Sequence, residues 1–259
     1  MTARHNGVAK LWLLNLFGNA ALIAAVYFWL LLPDAHGGQV AASALLALAI
    51  VFCGLWLRAG SFAYFRVAEF RDRAIVWRAF RHALRHIIAL GVWLMPLVVC
   101  EWCLLALLRY TPQFGVWWWQ KTSALRFGSP RTVFHAALWI LLIVMGLLPA
   151  IWLPVGCTVS ATGLKAGRIA RSFRLLKQPS YWLWYCALVA VGVYVPYKLI
   201  WWIPDLDTLA AQAWSAGLRF AVAYAVVISA WIALLLVIGD RLSREDPLII
   251  EQTPQNSRT

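Results

Sequence analysis

Six runs of about twenty apolar residues punctuate the chain: Leu11–Leu32, Val40–Leu57, Ile87–Leu108, Val133–Val155, Tyr181–Ile203 and Leu218–Ile238. About twenty residues in a helix match a bilayer core of about 30 Å. Inside lipid each backbone N–H and C=O must be satisfied by the protein itself, and a continuous apolar run of this length does so as a helix. The predicted fold is therefore all-α. It is a polytopic membrane helix bundle with six transmembrane helices and two cytoplasmic amphipathic basic helices. Residues 1–245 are expected to form a single bundle, and residues 246–259 a disordered cytoplasmic tail. The first run is too long for the apolar core of a signal peptide, and no small-residue cleavage motif follows it, so it reads as a true span. Composition agrees: 63% of the 259 residues are hydrophobic and 13% are charged, against about 45–50% and about 25% in soluble domains. The 17 tryptophans suit the water–lipid boundary, where the ring is buried and its N–H stays wet.

Charge orients the spans. Lys and Arg number 23 against 10 acidic residues, and they gather in the connections. Arginines stand at 58, 66, 71, 73, 78, 81 and 85 between the second and third runs. Lys165, Arg168, Arg171, Arg174 and Lys177 stand between the fourth and fifth. With Arg4, Lys10, Arg241, Arg244 and Arg258, seventeen basic residues fall on one side. The other side holds Arg109, Lys121, Arg126 and Arg131 in one loop, and none in "PDAHGG" (33–38) or "PDLDTLAAQAWSAG" (204–217). Short basic loops stay inside, so both termini are expected in the cytoplasm and the protein in the cell inner membrane. Anionic lipid is the expected partner of this charge, rather than nucleic acid.

The segment 74–86, "AIVWRAFRHALRH", predicts a helix with Arg78, Arg81 and Arg85 on one face and Val76, Phe80, Ala83 and Ile87 largely opposite. Such a helix lies in the interface with its arginines toward head groups; a solvated basic loop is the plainer alternative. Lys165, Arg168, Arg171 and Arg174 form a second candidate head-group site. His82 and His86 stand four apart, but no acid or cysteine shares their face and arginines flank them, so no metal site is expected. Span, basic segment, span recurs twice. Trp56-Leu57 and Trp152-Leu153 close the first spans, Phe80-Arg81 and Phe173-Arg174 mark the basic segments, and Pro96 and Pro196 lie in the second spans. "RSFRLLKQPSYWLWY" (171–185) and this layout resemble bacterial six-span integral membrane proteins of uncharacterised function, in which an Arg-Ser-aromatic-Arg-Leu segment precedes the fifth span. The resemblance implies the topology and carries no activity.

"LVVCEWCLL" (97–105) places Glu101 inside the third span. An ionised group there costs several kcal/mol unless paired. Counting from the ends of the runs puts Glu101, Lys198 and Arg219 at similar depth in the outer half. They form a predicted intramembrane charge cluster in which Glu101 pairs with Lys198 or Arg219 and ties three spans together. A second reading makes Glu101 a proton or cation group in a transport path. A third leaves it protonated and hydrogen-bonded while the cations snorkel. Asn15 and Asn19, four apart on the first span, and Ser229 are the remaining polar groups well inside spans; Asn side chains commonly bond neighbouring helices.

Cys53, Cys100, Cys103, Cys157 and Cys186 show no disulfide pattern, and Cys100 and Cys103 sit mid-span, so all five read as buried packing residues. Pro96 and Pro196 can kink their spans. The stretch 114–127, with Trp117, Trp118 and Trp119, reads as an outer loop anchored in the interface. No phosphate loop, nucleophile elbow, zinc-protease or dinucleotide motif occurs, and no cofactor is expected. The chain thus reads as a structural, assembly or regulatory membrane component, with a membrane protein partner or a second copy as a further possible contact. The alternative is a transporter that uses Glu101.

Overall fold

A computed structural model describes residues 2–33, 36–122, 129–205 and 207–245. Among these residues there is no strand, and six helices are long and apolar enough to cross a membrane. The predicted tail 246–259 lies outside the described residues. The elements are α1 (Thr2–Leu30), α2 (Gly37–Arg66), α3 (Ala68–Asp72), α4 (Val76–Leu84), α5 (Ile87–Thr122), α6 (Pro130–Thr162), α7 (Ala166–Ser172), α8 (Pro179–Trp201) and α9 (Leu209–Glu245). A short 3₁₀ helix, Phe173–Lys177, joins α7 to α8.

The helices overrun the apolar runs that announce them. At 1.5 Å per residue, the 30 residues of α2 span about 45 Å, the 36 of α5 about 54 Å and the 37 of α9 about 55 Å. α5 runs on through the stretch expected as an outer loop as far as Thr122, so Trp117, Trp118 and Trp119 belong to a helix, with the Trp117 and Trp118 rings against Phe114. Most of 204–217 likewise forms the first turns of α9. Pro96, Pro112 and Pro196 all lie within unbroken helices.

α1 and α9 run antiparallel: Trp12 donates to Ser229 Oγ, and further along α1 Leu16 accepts from Tyr224. The start of α1 and the close of α9 therefore share one end with α3, α4, α7 and the 3₁₀ turn. This is the basic end; the opposite half is the far half. α5 packs along α6 and α8 along α9, while α2 touches α1, α4, α6 and α9 and so occupies the centre.

The core lies at the basic end. Every residue of α2 from Ala59 to Arg66 is buried, as is every residue of α6 from Leu153 to Thr162. The two rods lie side by side, with Phe62 against Gly156. α9 joins through Leu235, Ile238 and Leu242, and a Cβ at Gly239 would strike the Phe65 carbonyl. Only a residue without a side chain lets the two backbones meet there. Where water surrounds the helix ends, apolar burial drives packing at roughly 25 cal/mol per Å². Against lipid tails that term is nearly absent. Tryptophan N–H groups stitch the core's rim: Trp56 donates to the Phe80 carbonyl, Trp152 to Trp93 and Trp182 to Leu176.

Candidate functional site

Three polar constellations stand out. The first is the basic collar. α4 forms over Val76–Leu84, shorter than the predicted 74–86 but amphipathic as expected. Phe80 and Ala83 are buried, and Phe80 packs on Gly60 of α2, so the apolar face is locked on the bundle. Arg78, Arg81 and Arg85 are exposed on the opposite face. Arg78 is engaged by Glu69 at 3.3 Å, and Glu69 also holds Arg73 at 3.6 Å. Lys165, Arg171, Arg174 and Lys177 are exposed and Arg168 is half-buried. Trp77, Leu84, Leu164 and Phe173 stand exposed among these cations. Side by side, apolar rings and cations make the composition of a helix lying at a head-group layer.

Two arginines that the sequence counts with this collar belong elsewhere. Arg66 is 1% exposed, with Nε 3.4 Å from Thr158 Oγ1, and that hydroxyl meets Ser172 Oγ at 2.6 Å. Arg71 is also buried and reaches Asp240 at 3.6 Å, while Arg244 takes the same carboxylate at 2.8 Å. Arg66 is inside the core because α2 continues past Leu57 instead of ending there, and Arg71 is carried in by α3, against Asp240 of α9. His82 and His86 touch ring to ring at 5.5 Å, and His82 Nε2 lies 2.8 Å from the Ala161 carbonyl. Burial, then the neighbouring His82, Lys165 and Arg85 charges, hold the His86 imidazole below its ordinary range.

The second constellation is the predicted charge cluster, which the structure does not bring together. Glu101 lies within electrostatic reach of Tyr185, thirteen residues before Lys198 on α8, a rise of about 20 Å. The helices are staggered, so depths counted from run ends do not compare. Glu101 belongs to the α5–α6 hairpin and the two cations to the α8–α9 hairpin. Lys198 sits 5.5 Å over the Tyr194 ring. Arg219 donates to the carbonyls of Ser215 (3.1 Å), Ile200 (3.4 Å) and Trp202, capping the end of α8. Glu101 Oε1 is shielded and has no hydrogen-bond partner.

The third constellation joins α1, α2 and α9. Asn15 Nδ2 donates to Leu11 O at 2.9 Å and Ser61 Oγ at 3.0 Å; Asn19 Nδ2 donates to Asn15 O at 2.6 Å. Arg58 Nη2 donates to Asn19 Oδ1 at 2.8 Å, and its guanidinium lies 5.0 Å over the Trp231 ring. The two asparagines are visible as polar groups in a span. The partner of Asn19 is not, because Arg58 counts by sequence as a loop charge; its place one residue past an apolar run that has no helix-stop signal is the available clue. Four of the five cysteines, Cys53, Cys100, Cys103 and Cys186, face outward, and Cys157 alone is buried. Comparison with protein-family models, curated proteins and solved structures finds no match for this chain.

Proposed function

We propose that the chain is a non-catalytic component of the cell inner membrane, structural, assembly or regulatory in role, with both termini and the basic end in the cytoplasm. The observation that carries this reading is the collar: exposed Arg81, Arg85, Lys165 and Arg174 interleaved with exposed Trp77, Leu84 and Phe173 on short helices whose other faces are held by the core. A rigid mount presents these groups at one level, where anionic head groups attract each Lys or Arg by about 1 kcal/mol. Such a collar can sense or gather acidic lipid and present it to a membrane protein partner or a second copy.

The test is lipid retention. Wild type, and a variant with Arg81, Arg85 and Arg174 all changed to Gln, are purified from vesicles of mixed phosphatidylglycerol and phosphatidylcholine, and bound lipid is counted by native mass spectrometry at low and high salt. The expected result is a salt-sensitive excess of phosphatidylglycerol on wild type that the variant loses. Equal retention by both proteins overturns the reading.

The shielded, unpartnered Glu101 Oε1 favours a second reading, a transporter in which that carboxyl takes up a proton or cation. Flux into proteoliposomes that Glu101→Gln abolishes without loss of folding would select it.

A further inference from the structure

We propose that the seam of α1, α2 and α9 is a specific site for one anionic phospholipid, with its phosphate on Arg58 and an acyl chain in the adjoining groove. A groove of about 510 Å³ opens between α1 and α9, lined by Leu22, Ile23, Val26, Val227 and Ile228 and closed at its polar end by Arg58, Asn19 and Tyr224. That volume is within the range of sites that hold small ligands, about 300–1,000 Å³.

The charge at the closed end is what asks for an occupant. Arg58 carries five N–H donors in a planar fork. One meets Asn19, and the face of the guanidinium lies on Trp231. Among the described residues no carboxylate lies within ion-pair distance of it. Arg71, Arg73, Arg78 and Arg244 take up Glu69, Asp72 and Asp240 at the basic end. The Asn19 amide cannot turn to help, because its nitrogen is committed to Asn15 O. A phosphate offers the two parallel acceptors that a guanidinium fork fits best.

Depth selects the ligand's form. Arg58 stands where α2 passes from the stretch that buries no residue, Gly37–Trp56, into the buried stretch beyond Leu57. There the lipid-facing half gives way to the basic end, and a guanidinium at that change stands at the level of a leaflet's phosphates. From there the groove climbs along α1 from Asn19 to Val26, about 10 Å into the apolar layer. Head at the boundary and tail upward is how a phospholipid of that leaflet already stands. A second groove between α1 and α2, lined by Leu14, Ala21, Ala25, Leu46 and Ile50, is of similar size, about 440 Å³, but has no charged residue in its wall. It can hold a chain without choosing a head group, and so marks what Arg58 adds.

This inference is independent of the collar, and its test keeps the two apart. Detergent-purified full-length protein is titrated with phosphatidylglycerol, phosphatidylcholine, oleate or inorganic phosphate, and bound lipid is followed by native mass spectrometry and thermal unfolding. Wild type should hold one phosphatidylglycerol at least about tenfold more tightly than phosphatidylcholine or oleate, and inorganic phosphate should give no shift. Arg58→Gln should lose that preference, and Arg58→Lys should keep part of it. Ile23→Trp, which fills the groove from an exposed position, should weaken binding with Arg58 intact, and it carries the test if Arg58→Gln does not fold. The triple Arg81, Arg85, Arg174 to Gln variant should keep this one lipid while losing the salt-sensitive excess. Undiminished binding in Ile23→Trp or in folded Arg58→Gln overturns the proposal, as does an equal affinity for phosphatidylcholine or oleate.

Discussion

α2 divides into two helices that share a backbone. From Gly37 to Trp56 it buries no residue, whereas from Leu57 to Arg66 it leaves only Arg58 partly open. α6 repeats the pattern, with no residue buried from Arg131 to Pro149 and an unbroken buried stretch from Leu153. The difference lies in the solvent rather than in the side chains. The far half is apolar all round because lipid is its surroundings, and one apolar neighbour there is worth about as much as another. Past the boundary the same helices meet water, and the hydrophobic effect returns to draw α3, α4 and α7 over them. The bundle is thus clamped at one end, and its far half is held mainly through the helices that leave the clamp.

The strongest way to break that contrast is a matched pair of truncations. Phe65 is fully buried between α2 and α9, and Phe65→Ala should cost about 3–5 kcal/mol. Ile143 is exposed on the far half of α6, and Ile143→Ala should cost less than about 0.5 kcal/mol. Unfolding in mixed detergent micelles measures both. Similar losses for the two would show that the far half carries a core of its own.

How much of this was legible follows the same divide. All six spans could be read, because the bilayer demands a run of apolar residues and each run is there. The clamp could not. Arg58 and Arg66 interrupt the hydropathy of α2, so by sequence the apolar run ends at Leu57 and the core beyond it reads as a basic connection. In that stretch Phe62, Tyr64 and Phe65 alternate with small residues, and only tertiary packing against Gly156 and Gly239 makes them a rod. The face of α4 was legible because three arginines at helical spacing leave one possible orientation. The partners of Glu101 were not, because the ends of apolar runs say nothing about how far one hairpin is shifted against another.

A gentler probe of the clamp uses pH. The imidazole of His86 is held below its ordinary value of 6.5, first by burial and then by His82, Lys165 and Arg85. A depressed histidine is neutral in the fold and binds a proton more readily when unfolded. Its contribution is therefore present above about pH 6.5 and is lost as pH falls through the lowered value. Wild type should melt at a lower temperature at pH 5.5 than at pH 7.5, by a small margin because His86 is only half-buried. His86→Gln should flatten that part of the profile, and a profile unchanged by the substitution would remove His86 from the clamp's pH response.

The smallest expected effect belongs to Glu101. If Glu101 bridged Lys198 or Arg219, Glu101→Gln would strand a cation in the membrane and cost about 3–5 kcal/mol. Neither cation leans on it. Lys198 rests on Tyr194, and Arg219 spends its donors on the Ser215 carbonyl of its own helix and on the Ile200 and Trp202 carbonyls that end α8. Glutamine has the shape of the acid and adds no charge for a neighbour to lose. Glu101→Gln should therefore shift unfolding by less than about 1 kcal/mol, and Arg219→Met should cost more than Glu101→Gln because it uncaps a helix. A loss of several kcal/mol for Glu101→Gln would prove a partner across the hairpins and restore a bond between them in the far half. A silent substitution would leave the far half as the contrast describes it, joined to the clamp by its helices and bathed in lipid, with one carboxyl kept for a reason other than folding.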